Sequence, residues 1–200
     1  MLDIAHSFRL LDGTYIPWLA WGSGTGRAMH KAVESGVAAL QAGFRHIDTA
    51  QYYKTEADTK EAIEKAMIPR NEVYITSKRT FVLLILLNNC TYIYETVSFL
   101  DDDQPVPLDL VRELVKETTR KLGSIPDLFL IHNPFVAKPG ELKQVWNILE
   151  DLKMKGKLKS IGVSNFRPQD LHVVLKNARY TPVVNQVRRK ISSSPFRPNI

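Results

Sequence analysis

Short apolar runs and amphipathic stretches alternate along most of this chain, and the alternation predicts its elements. Compact runs at 19–21, 44–48, 73–78, 128–132, 160–164 and 183–186 read as strands. Between them, apolar residues recur with helical spacing: Val33, Val37 and Leu40, then Ala62, Ile63 and Ala66, then Val111, Leu114, Val115 and Thr118. A fourth helix carries Leu142, Val145, Trp146, Leu149 and Leu152, and a fifth begins at Pro168 with Leu171, Val174 and Leu175 facing inward. Gly43, Gly123 and Gly156 stand where helices should stop. Asp12-Gly13, set between two short apolar segments, predicts an N-terminal β-hairpin. Strands alternating with helices and buried on both faces point to an α/β fold with a parallel sheet, either a barrel or an open sheet.

Two stretches break this rhythm. From 79 to 107 the expected loop and helix give way to the apolar run 81–87, followed by Asn88-Asn89-Cys90 and the acidic run Asp101 to Asp103. The apolar run suits an extra buried strand or, left exposed, an aggregation-prone segment, and at seven residues it is too short to span a membrane. From 187 to 200 the chain has no periodicity and reads as an irregular basic tail.

The composition is that of a soluble globular chain, with 44% hydrophobic and 24% charged residues in 200 positions. The net charge of +6 invites a nucleic-acid partner, but four of the basic residues (Arg188, Arg189, Lys190 and Arg197) lie after Gln186 with no acidic residue among them. The rest of the chain is close to neutral, so neither a nucleic-acid partner nor a membrane is expected. The single Cys90 excludes an intrachain disulfide and fits a cytoplasmic setting, as does a first segment without an apolar signal core. His6, His30, His46, His132 and His172 have no close ligand spacing with Cys90, so no metal site is expected.

Gly22-Ser-Gly24-Thr-Gly26, with Asp48 at the end of the next strand, imitates a dinucleotide-binding fingerprint, but Arg27 occupies the position where that motif needs a small residue. The chemistry lies elsewhere, at the carboxyl ends of the strands. Asp48 and Tyr53 follow one strand, Lys78 ends the next and His132 ends another. In a parallel α/β protein these ends share one face, so the four residues can converge. Each alone has an ordinary structural explanation, but together they make a proton-transfer site. A tyrosine is a weak acid near pH 7, a neighbouring ammonium stabilises its phenolate, a carboxylate orients that ammonium, and an imidazole can hydrogen-bond a substrate oxygen.

These segments, Asp12-Gly-Thr14, Gly43-Phe-Arg-His-Ile-Asp-Thr-Ala-Gln-Tyr-Tyr53, Ile75-Thr-Ser-Lys78, Leu130-Ile-His132 and Gly156-Lys-Leu-Lys-Ser-Ile-Gly-Val-Ser-Asn-Phe166, resemble the aldo-keto reductases in order and spacing. The resemblance covers 7–78 and 108–186 and implies an (α/β)8 TIM-barrel fold, here with about six of the eight strand-helix units over residues 1–186. It also implies NADPH, or NADH, as cofactor and reduction of a small-molecule aldehyde or ketone. Asp48, Tyr53, Lys78 and His132 match the family's catalytic tetrad, with Tyr53 as proton donor and His132 orienting the carbonyl. Ser164, Asn165 and Gln186 match the positions that hold the nicotinamide carboxamide, and Trp18 or Trp21 is a candidate for lining an apolar substrate pocket. The sequence departs from the family after Tyr53, where Lys54-Thr55-Glu56 stands for Gly-Asn-Glu. It departs again at 79–107 and beyond Gln186, so that the last strand-helix units and the adenosine-phosphate loop are missing. A truncated relative is therefore the expectation, with a catalytically silent cofactor-binding or regulatory relative, or a non-functional truncated product, as the alternative to an enzyme.

Overall fold

The computed structural model of the chain describes residues 7–24, 26–79 and 107–187. The segments 80–106 and 188–200, which hold the apolar run with Cys90 and most of the basic tail, lie outside the described residues. The N-terminal hairpin forms as expected, β1 (Ser7–Arg9) pairing antiparallel with β2 (Tyr15–Pro17), and Gly13 takes a φ of +85° in the turn between them.

All six expected strands are present and all are parallel: β3 (Trp21–Gly22), β4 (His46–Asp48), β5 (Tyr74–Arg79), β6 (Leu128–Ile131), β7 (Ser160–Ser164) and β8 (Asn185–Gln186), in spatial order β3-β4-β5-β6-β7-β8. Their helices are a short α1 (Gly26–His30), α2 (Ala32–Gln41), α3 (Glu56–Lys65), α4 (Leu110–Leu122), α5 (Leu142–Met154) and α6 (Pro168–Leu175). Gly43, Gly123 and Gly156 follow three of these helices with φ of +100°, +67° and +66°, a left-handed turn that glycine adopts without a Cβ penalty.

The helical faces agree with the pattern in α4 and α5, whose expected apolar residues are buried or partly buried against the sheet. In α2 the buried face is Ala32, Gly36, Ala39 and Leu40, with Val33 and Val37 only half-covered. The reason is close packing: a Cβ on Gly36 would lie 2.8 Å from that of Ala62 in α3, so the two helices meet on their small residues. Leu175, expected inward, is exposed in the last turn of α6, and Val174 takes the buried place.

Side chains alternate across the sheet. Ile47, Ile75, Phe129, Ile131, Ile161 and Val163 point outward into the helical layer, around the fully buried Trp146 and Leu149 of α5 on one side and Leu40 of α2 on the other. Tyr74, Leu128 and Leu130 point inward and pack with Val183, Val184 and Ile16 of the hairpin. Thr14 and Asp12 meet Ser160, the first residue of β7, so the hairpin covers the amino ends of the strands.

One contact separates a barrel from an open sheet. Four strand spacings of about 4.8 Å would put β4 and β8 about 19 Å apart in a flat sheet, yet Gln186 Nε2 on β8 donates to Asp48 Oδ2 on β4 at 3.1 Å. The sheet is curled into an incomplete barrel, with its interior facing Asp48 and Gln186 alike. The dinucleotide fold hinted at by the glycines is thereby excluded. Close approach inside the curl needs Gly162 on β7, where a Cβ would fall 2.7 Å from the Val184 carbonyl oxygen and 2.8 Å from Leu130 Cδ2.

Candidate active site

The carboxyl ends of the inward-facing strands bring Asp48, Tyr53, Lys78 and His132 together. Asp48 ends β4 and Lys78 is the fifth residue of β5, both on the interior side by strand alternation. Their side chains form an ion pair, with Lys78 Nζ donating to Asp48 Oδ1 while the carboxylate's other oxygen accepts from Gln186. The lysine side chain is only 3% exposed, so its ammonium lies against that carboxylate with little contact with water.

Tyr53 closes a 3-10 turn, Gln51–Tyr53, that follows β4. Its half-buried ring has Lys78 Nζ 5.5 Å from the centroid, and it meets the His132 ring edge-on at 5.9 Å and 86°. His132 stands one residue beyond β6, its backbone N–H continuing the sheet to the Arg79 carbonyl at 3.2 Å. On the other side the tyrosine ring lies flat against Gly24, where a Cβ would come within 2.4 Å of Tyr53 Cε2. Gly24 thus owes its place to the tyrosine ring rather than to a phosphate, a requirement that no local motif announces.

Ser164, Asn165 and Gln186 line the adjoining ledge. Ser164 Oγ donates to the Gln186 backbone carbonyl at 2.8 Å. Asn165, exposed and in the left-handed region at φ +58°, donates from Nδ2 to the His132 carbonyl at 3.0 Å and to Ser164 Oγ at 3.1 Å. A hydroxyl and two primary amides beside the Tyr53–His132 pair form a donor and acceptor set that fits a carboxamide. The tryptophans do not share this site: Trp18 stacks on Phe8 of the hairpin at 4.0 Å and Trp21 packs into the outer layer near Leu40 and Ile47.

Three further residues carry polar bonds to which the sequence assigns no role. Thr55 Oγ1 is bonded to Ser23 Oγ at 2.7 Å and to Thr49 Oγ1 at 3.0 Å, forming a buried hydroxyl chain beneath the tyrosine turn. Glu56, 1% exposed, accepts from Ser77 Oγ at 2.8 Å, and burial pushes its carboxyl up against that bond. His46 is buried behind Asp48 with Nε2 bonded to Thr76 Oγ1 at 2.8 Å, and burial takes its pKa down to about 4. A polar residue flanking each strand-end motif is the signal for all three, but polarity alone does not say what a residue binds. Among the described residues no cluster of His, Cys, Asp or Glu could hold a metal ion, and no helix is long and apolar enough to cross a membrane.

A curled parallel sheet with an aspartate, lysine, tyrosine and histidine gathered at its carboxyl mouth defines an α/β-barrel architecture. Residues 19–197 match the aldo/keto reductase family, and the chain belongs to it. The match runs on past Gln186, where the resemblance read motif by motif ends. The chain is 34% identical over 185 residues to an NAD/NADP-dependent indole-3-acetaldehyde reductase of Schizosaccharomyces pombe, covering 88% of this chain and 56% of that protein. It is equally 34% identical over 185 residues to a glyoxal reductase of Bacillus subtilis, with 92% and 58% covered. Among solved structures, an aldo/keto reductase from Brucella melitensis superposes with a TM-score of 0.72 at 32% identity, covering 92% of this chain and 62% of that one. A Bombyx mori aldo-keto reductase in complex with NADP does so with a TM-score of 0.71 at 28% identity, covering 92% and 58%. The chain therefore spans little more than half the length of the curated relatives it matches.

Proposed function

We propose that this chain reduces a small aldehyde or ketone to the alcohol with a nicotinamide cofactor, NADPH in the first place and NADH as a second choice. The observation that carries this is the convergence of Tyr53, His132 and the Lys78–Asp48 ion pair at one barrel mouth. The names of its relatives, two of them reductases of aldehyde-bearing compounds and one a structure with NADP, support the same reading. A bound nicotinamide would supply the hydride, held by its carboxamide against Ser164, Asn165 and Gln186.

The chain's own residues manage the proton and the carbonyl. Tyr53 donates its phenolic proton to the carbonyl oxygen as charge develops there. Lys78 makes that loss easier, because an ammonium beside the phenolate offsets its negative charge in a site shielded from bulk water. Asp48 keeps Lys78 charged and fixes its direction. His132, edge-on to the phenol, hydrogen-bonds the carbonyl oxygen and aims it at Tyr53. A cytoplasmic setting belongs to this reading, supported by a single cysteine in 200 residues.

The test is a titration of the purified chain with NADPH, read by cofactor fluorescence, followed by an aromatic aldehyde and the fall of cofactor absorbance. Saturable binding with turnover is expected, and turnover is expected to vanish in Tyr53→Phe with binding retained. A chain that binds no nicotinamide, or a Tyr53→Phe variant as fast as the parent, overturns the proposal.

A further inference from the structure

Lys54 joins the proton-donating tyrosine to helix α3 and sits at φ +57° and ψ +19°, a left-handed conformation that strains a residue carrying a Cβ. Such a conformation persists only where the surroundings over-determine it. Here they do so through the next two residues. Thr55 is 1% exposed, and its hydroxyl is the hub of the chain Ser23–Thr55–Thr49. Each spoke ends at a strand: the Ser23 backbone N–H donates to the Asp48 carbonyl at 3.0 Å, and the Thr49 N–H donates to the Thr76 carbonyl of β5 at 2.9 Å. The Thr55 carbonyl in turn accepts from both the N–H and the hydroxyl of Thr59, which anchors the first turn of α3. Glu56 then crosses to β5, bonding Ser77 immediately before Lys78.

We propose that Thr55 and Glu56 are positioning residues that lock the Tyr53 turn onto the strand ends bearing Asp48 and Lys78. Thr55 fixes the turn relative to β3 and β4, and Glu56 fixes it relative to β5. The distance from the phenol to the lysine ammonium is thereby set from behind, by groups that touch neither substrate nor cofactor. This inference rests on the proposed reductase reading for its kinetic consequence but not for its geometric one.

The experiment pairs kinetics with the ring resonances of Tyr53 in protein labelled with 13C-tyrosine, assigned by their loss in Tyr53→Phe. Thr55→Val, which keeps the shape and removes the hydroxyl, and Glu56→Ala are each expected to move the Tyr53 signal. They should also lower kcat about 10- to 100-fold, with the KM for aldehyde and the Kd for NADPH near those of the parent. Thr55→Ser and Glu56→Gln, which keep an acceptor in place, should restore both readouts. Should Glu56→Ala not fold, Ser77→Ala removes the same bond with a smaller cavity and is expected to shift the same signal. A parent chain that neither binds NADPH nor turns over refutes the reductase reading, while the Tyr53 resonance still decides the positioning. A Tyr53 signal unmoved in both Thr55→Val and Glu56→Ala or Ser77→Ala overturns the proposal, whatever the activity.

Discussion

The two ends of the curled sheet use the same kinds of side chain in opposite ways. At the amino ends, polar groups tie elements together. Asp127 accepts from Arg70 at 2.8 Å, from the Ile75 backbone N–H at 2.9 Å and from Lys159 at 2.6 Å, while Asp12 binds Thr14, Ser160 and Lys153 across to the hairpin. At the carboxyl ends, one buried ion pair faces a half-buried phenol and imidazole and an exposed asparagine. A network whose members bind one another holds the fold, whereas a charge set beside half-open groups can act on something that arrives.

The largest effect is expected from Tyr53→Phe. It should lower aldehyde reduction by about 10²–10⁴-fold and leave urea unfolding unchanged, which parallel kinetic and denaturation measurements would check.

Acid separates the buried His46 from the hairpin's Asp12, and the sign follows from where each holds its proton. His46, with its pKa brought down by burial to about 4, binds fewer protons folded than unfolded between its ordinary 6.5 and 4. Its contribution is complete above pH 6.5 and is lost as pH falls through that window, by about 3 kcal/mol in all. At Asp12, burial pushes the carboxyl up, but the bonds from Thr14, Ser160 and Lys153 outweigh it and bring it to about 2, so its contribution is lost only between pH 3.8 and 2. Urea midpoints across pH 2–8 should fall in these two steps, and His46→Gln should abolish the upper one.

Asp127→Ala, at the tying end, should destabilise the chain by about 2–3 kcal/mol by leaving the Ile75 N–H and the Arg70 guanidinium short of a partner. Turnover per folded molecule should stay at the parent value, as steady-state rates corrected for the folded fraction would report. The smallest effect is expected from Lys54→Gly. Relief of the left-handed strain, partly offset by glycine's added freedom in the unfolded chain, should stabilise by about 0.5–1 kcal/mol. Thermal melting would detect it as a modest rise in Tm.

Most of the architecture was legible because burial imposes a period on the sequence. Six strands, five helices and the hairpin could be read from runs such as Leu128–Ile131 and the face of α5, since a buried strand or helix side must be apolar at regular spacing. Strand ends were less so: the run 183–186 yields only the two-residue β8, although Val183 N–H donates to the Ile161 carbonyl at 3.1 Å, the Val184 carbonyl accepts from Val163 N–H at 2.8 Å, and both valines join the interior core. The α6 face was misread at Leu175 because local periodicity does not show where the layer beneath a helix ends.

The alternating α/β order, the family resemblance and the place of Asp48, Tyr53, Lys78 and His132 at or just after strand ends could be read along the chain, because each is written in local spacing and residue type. The remaining features exist only once the chain is folded. The curl that brings Gln186 to Asp48, the bareness that Gly24 owes to the Tyr53 ring, and the bonds of Thr55 to Ser23 and of Glu56 to Ser77 join residues 20 to 140 positions apart. Contacts of that separation follow from how layers close over one another, and no periodicity along the chain encodes them.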